Sequence, residues 1–327
     1  MESAGLPVTA LAAALMLSAP TDAAPLELIA TIPMPNVKGR IDHFAADVKG
    51  RRLFVAALGN DTVEVVDTAA NKHLRSITGF GEPQGLLYLP DLNRLYVANG
   101  SADRVDVLDG SAFANSRRID QLGDADNVRF DAAAKLVVVG YGKGALRFMH
   151  AESVQTAREV KLSGHPESFQ LETRGTRAFV NVPTAQHIAV VDRAKGAVIA
   201  TWPVTARANF PMALDEAGRR LFSGARSPAL VLVYDIDSGR NVAKVGIGGD
   251  TDDVFFDAKR KRLYVICGEG RIDVLRQETP DRYVHEASIK TAPRARTGLF
   301  VPEDDALYVA APAVDASPAR ILAYRVQ

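Results

Sequence analysis

Arg94-Leu-Tyr-Val-Ala98 decides the fold, because the chain repeats this phrase seven times. The other copies are Arg52-Leu-Phe-Val-Ala, Lys135-Leu-Val-Val-Val, Arg177-Ala-Phe-Val-Asn, Arg220-Leu-Phe-Ser-Gly, Arg262-Leu-Tyr-Val-Ile and Ala306-Leu-Tyr-Val-Ala. Their second positions, 53, 95, 136, 178, 221, 263 and 307, lie 42, 41, 42, 43, 42 and 44 residues apart. A period of that size marks one supersecondary unit stacked on its copies. A polar residue followed by alternating apolar and aromatic residues is the pattern of a half-buried strand, so the repeat unit is β.

Lining up the copies supplies the rest of the unit. A second strand follows each phrase, as in Val63-Glu-Val-Val-Asp67, Val105-Asp-Val-Leu-Asp109 and Ile188-Ala-Val-Val-Asp192. Its closing Asp suits a turn in which the side chain bonds nearby backbone. A third strand comes after the turn, as in Val198-Ile-Ala-Thr-Trp202, and a fourth precedes each phrase, as in Asn127-Val-Arg-Phe130. Four antiparallel strands per copy make the blade of a β-propeller. The seventh copy is one strand short at the C-terminus, while Leu26-Glu-Leu-Ile-Ala-Thr-Ile32 is an orphan strand at the other end. The expected fold is therefore an all-β, seven-bladed β-propeller of four-stranded antiparallel blades. The N-terminal strand closes the ring within the last blade and leaves no bare edge.

The Leu-Tyr-Val-Ala phrase followed by Val-x-Val-Leu-Asp resembles the YVTN repeat of YncE-like and surface-layer propellers, over nearly all of the chain after residue 24. The resemblance implies a seven-bladed propeller outside the cytoplasm and no single chemistry, since the phrase is scaffolding and one fold hosts many functions.

The repeats run without a linker, so residues 25–327 read as one domain. Lys plus Arg equals Asp plus Glu at 39 each, which excludes the basic excess of a nucleic-acid binder. Residues 1–24 stand outside the repeat. Leu6 to Ala19 is an apolar run too short to span a bilayer, and Ser18-Ala-Pro-Thr-Asp-Ala-Ala24 offers small residues for cleavage, so the segment reads as a secretory signal peptide. The expected location is periplasmic or extracellular, with no membrane span and a monomeric ring. Cys267 is the only cysteine, which rules out an internal disulfide, and it reads as a small buried hydrophobe.

In a propeller the innermost strands line the central channel. Phe44, Leu86, Val128, Phe169, Met212, Val254 and Leu299 share an apolar column of blade-packing core. At the strand starts the columns turn polar: one holds Asp42, Gln84, Asp126, Glu167, Phe210, Asp252 and Thr297, and another holds Arg40, Glu82, Asp124, His165, Ala208, Asp250 and Ala295. Four carboxylates gathered at a narrow mouth repel, and call for a cation, a shared proton or a basic ligand. Asp42, Asp126, Glu167 and Asp252 are thus candidate ligands for a divalent cation. Oxygen ligands alone suit Ca²⁺, and the neighbouring His43 and His165 suit Zn²⁺ or Mn²⁺. Arg40, Arg226 and Arg296 fit a carboxylate or phosphate on a bound molecule. Asn127, Asn209 and Asp253 complete the candidate ligand-binding set. The plainer alternative is that these residues cap strands and hold water.

Gly140-Tyr-Gly-Lys-Gly144 links two strands instead of opening a helix, so phosphate-loop chemistry does not apply. Two functions fit the sequence. One is an exported propeller that binds a small molecule, peptide or partner protein at its polar mouth. The other is a metal-dependent hydrolase or lyase, lactonase-like, with a channel cation as Lewis acid and His43, His165 or His187 as acid or base.

Overall fold

A computed structural model describes Met1 and residues 24–327, so residues 2–23 of the expected signal peptide lie outside the described residues. The chain forms seven four-stranded antiparallel sheets arranged as a ring. In six of them strand order follows chain order, with the innermost strand first. The seventh sheet is built from Gly298–Val301, Ala306–Ala311 and Arg320–Val326, and its outermost strand is Leu26–Pro33 from the other end of the chain. Leu26 pairs with Val326 and Pro33 with Arg320. The expected closure is therefore the observed one. Among the described residues no helix is long and apolar enough to cross a membrane.

The repeated phrase is the second strand of its blade, with one face of its alternation packed towards each neighbouring blade. Seven buried apolar clusters result, one between each pair of adjacent blades. Cys267 sits in one of them, and burial pushes its thiol up to about 12. The Asp that ends the next strand shapes the turn as expected: Asp67, Asp109 and Asp192 each accept backbone N–H bonds from two and three residues on.

The polar residue opening the phrase has a further task. Arg52 donates to the carbonyl of Gly110, Arg94 to Ala151, Arg177 to Ile236 and Arg262 to Gln327, each on the next blade. Arg220 reaches Asp281 of the next blade at 2.6 Å. The phrase is thus a strand and an inter-blade clamp at once. In the third blade the register places Val137, not Leu136, opposite Phe130, so Leu136 takes the clamp position. There Arg158 takes over the clamp, bonding the carbonyls of Arg193 and Ala194.

Because the closing strand hydrogen-bonds Arg320–Val326 along its length, deleting residues 25–34 should expose that edge and markedly lower the melting temperature. Thermal unfolding followed by circular dichroism checks this, and an unchanged midpoint would contradict the closure.

Candidate functional site

All seven inner strands carry the same irregularity at the channel mouth: two of their residues oppose one on the adjoining strand. Asp42 N–H bonds the Ala56 carbonyl while Ala56 N–H bonds the His43 carbonyl; Asp126 and Asn127 face Gly140 in the same way, and Glu167 and Ser168 face Asn181. Register breaks place Gln84 and Gly85, Phe210 and Pro211, and Asp252 and Asp253 in the equivalent pairs. In the seventh blade Ala310 N–H bonds the Thr297 carbonyl, which makes the pair Arg296 and Thr297. Such a bulge breaks the two-residue alternation of a strand and re-aims side chains.

The first member of six of these pairs lines the mouth, while Asp42 of the first blade is buried beside it. A cavity of about 220 Å³ is bounded by Gln84, Asp126, Glu167, Phe210, Asp252 and Arg296, with Arg40, Asp124, His165 and Arg226 reaching in from the loops. Arg296, not Thr297, therefore stands in the polar column; the buried Thr297 bonds the Ile41 carbonyl. A larger cavity of about 590 Å³ lies between blades 2 and 3, with Leu92, Phe130 and Ala151 as apolar walls and Asp91, Lys135, His150 and Glu152 as its polar groups.

The carboxylates are matched by the chain's own cations. Arg40 Nη2 is 2.8 Å from Asp42 Oδ2. Arg226 Nη2 is 2.7 Å from Asp252 Oδ1, and Arg296 Nε is 3.1 Å from Asp252 Oδ2. Asp250 joins both arginines, at 3.2 Å and 3.0 Å. Arg226 also lies over the Phe210 ring, 4.4 Å from its centroid. His43 sits between Asp42 and Asp253, at 3.6 Å and 3.5 Å. Burial works against its charge, but Asp253 and Asp42 outweigh burial and raise its pKa to about 10. Burial raises Asp42 against the pull of His43 and Arg40, and raises Asp252 to about 6 against Arg226.

One arc of the mouth is left less satisfied. Glu167 has no side-chain partner among the described residues, and burial together with Asp126 pushes its carboxyl up to about 8. His165 Nδ1 donates to the Gly142 carbonyl at 2.6 Å, with Asp124 3.3 Å away, and this leaves Nε2 facing Asp126 at 3.9 Å. Burial opposes the His165 charge, but the carboxylate and carbonyl around it raise its pKa to about 9. Asp126, His165 and Glu167 each present one ligand atom within 4.8 Å of the others, so they could hold a metal ion. The backbone bond at Nδ1 orients the ring as second-shell partners orient metal-binding histidines.

The remaining sequence candidates are placed differently. Asn127 is buried beside the mouth, with Nδ2 3.4 Å from His43 Nε2. Asn209 is buried between blades, where it donates to Asn181 Oδ1 at 3.0 Å. Asp253 lines the channel below the mouth. His187 lies outside the cavity lining; its Nε2 is 3.0 Å from Ser163 Oγ, and burial lowers its pKa. Sequence reasoning passed over Arg129 and Gln170, which also line the lower channel. A charged residue inside the otherwise apolar Val128-Arg129-Phe130 was the available signal.

No protein-family model matches the chain, and no curated protein matches its sequence. Solved structures do. A chain of the crystal structure of the mitotic checkpoint complex aligns over 98% of this chain and 99% of its own length, with TM-score 0.75 and 13% identity. A chain of Kuenenia stuttgartiensis hydrazine synthase aligns over 84% and 94%, with TM-score 0.71 and 17% identity. At these identities the likeness shows the fold alone, and the fold is the seven-bladed β-propeller.

Glu167 makes the electrostatics testable. A carboxyl whose pKa is raised by folding binds its proton more tightly in the folded state, so stability is full below the ordinary 4.5 and falls as pH rises through about 8. Glu167→Gln should therefore melt a few degrees above the parent at about pH 9, and at the same temperature at about pH 4, in metal-free buffer. Equal midpoints at both values would contradict the raised pKa.

Proposed function

We propose that this propeller is an exported binding protein that takes a small polar molecule, or the end of a peptide or partner protein, at the mouth of its channel. Export rests on the apolar run Leu6 to Ala19 and the small residues after it. Binding rests on one observation above all: polar groups from every blade converge on a cavity whose Asp126–His165–Glu167 arc lacks full partners. At about 220 Å³ the cavity is below the range of drug-sized pockets, which points to a compact ligand. The ligand's donor or cationic group would meet Asp126 and Glu167, and its acceptors would meet Arg40 or Arg296.

The metal-dependent hydrolase or lyase is the second reading, and the orientation of His165 favours it. A Zn²⁺ or Mn²⁺ held by Asp126, His165 and Glu167 would supply Lewis acidity beside the open cavity. Asp42 and Asp252 are committed to arginines and histidine, so they would serve as outer charges.

A thermal-shift screen of small polar molecules and of divalent cations separates the readings. The double variant His165→Ala, Glu167→Gln should stay folded and lose the ligand response. Stoichiometric metal that survives dialysis would favour the enzyme. A wild-type protein that responds to neither set, or a double variant that responds as the parent does, would contradict a site at the mouth.

A further inference from the structure

Three residues beyond Asp126 on the same inner strand, Arg129 lines a second chamber of about 210 Å³, deeper in the channel. Leu86, Phe255 and Leu299 give this chamber apolar walls, and His43 and Asp253 share its polar side. His43 and Asp253 answer each other at 3.5 Å, and Asp253 Oδ2 also accepts the Gly298 N–H at 2.9 Å. Arg129 has no such answer. Among the described residues it forms no ion pair, and its protein hydrogen bond runs from Nη1 to the carbonyl of its neighbour Val128 at 2.9 Å. The guanidinium carbon lies 5.6 Å from the centre of the Phe169 ring. Burial lowers the Arg129 pKa, and the charges of Asp253 and Asp126 only partly offset it.

A half-buried guanidinium with no ion-pair partner among the described residues is costly, and a guanidinium fork matches a carboxylate with two parallel hydrogen bonds. We propose that this chamber binds a small monocarboxylate with a short apolar tail, its carboxylate on Arg129 and its tail against Leu86, Phe255 and Leu299. A single unmatched positive charge calls for a monoanion. The apolar walls favour one with a hydrocarbon body over a bare, strongly hydrated ion. None of Asp126, His165 and Glu167 takes part, so this site stands apart from the binding proposed at the mouth.

The test uses butyrate as the probe in chloride-free buffer, with sulfate and n-butylamine as controls. Butyrate should raise the melting temperature with concentration, as a ligand of the folded state does. The controls should not. Arg129→Met should lose the butyrate shift while melting at or above the parent in its absence, since an apolar side chain replaces an unpaired charge. Glu167→Gln should keep the shift, which separates failure here from failure of the mouth site. The proposal is overturned if the wild type shows no shift, if sulfate shifts it equally, or if Arg129→Met responds as the parent does. Should Arg129→Met fail to fold, crystals of the wild type grown with bromobutyrate decide: an anomalous bromine peak between Phe255 and Leu299 supports the site, and its absence there overturns it.

Discussion

A ring of seven twisted sheets holds only if its ends meet, and here they meet through backbone hydrogen bonds between Leu26–Pro33 and Arg320–Val326. That pairing fixes the circumference, and with it the distance at which inner strands face one another across the channel. The clamps by Arg52, Arg94, Arg177, Arg220 and Arg262 repeat the constraint locally, each tying one blade to the next. The blades approach closely as a result: a Cβ at Gly85 would lie 2.0 Å from the Asp126 carbonyl oxygen. Only glycine fits at that point of the second blade.

Within this frame the bulge at each strand entrance makes the channel polar. Regular alternation would send one of two consecutive residues away from the axis. With two residues against one, Asp252 lines the mouth and its neighbour Asp253 lines the chamber below. Carboxylates so crowded would repel, yet Arg40, Arg226, Arg296, His43 and His165 come from four blades to meet them. Compensation is uneven. It leaves the arc around Glu167 short of partners at the mouth and Arg129 short of a counter-charge below, and the two proposed sites lie at these two places.

The repeat, the four-strand blade and the closure by the N-terminal strand were legible in the sequence, because a phrase that recurs every 41 to 44 residues aligns itself. The polar columns were legible for the same reason. The inference that four carboxylates call for a cation, a shared proton or a basic ligand left out the chain's own arginines, because partners such as Arg226 and Arg296 belong to other blades and no spacing along the chain pairs them with Asp252. The seventh blade hid one partner further: Gly298, not the apolar Leu299, stands opposite Val309 as Phe44 stands opposite Val55, and lining up Leu299 with Phe44 brought Thr297 into the column that Arg296 occupies. The bulges left no mark in composition, so the inward turn of Arg129 could not be read from alternation.

Charge compensation within the channel is the central claim, and His43 reports on it most directly. Following its imidazole Cε1–H resonance by NMR across a pH titration should show a ring that is still charged well above neutrality, consistent with a pKa raised to about 10 by Asp253 and Asp42. A His43 that loses its proton near the ordinary value of 6.5 would contradict the account.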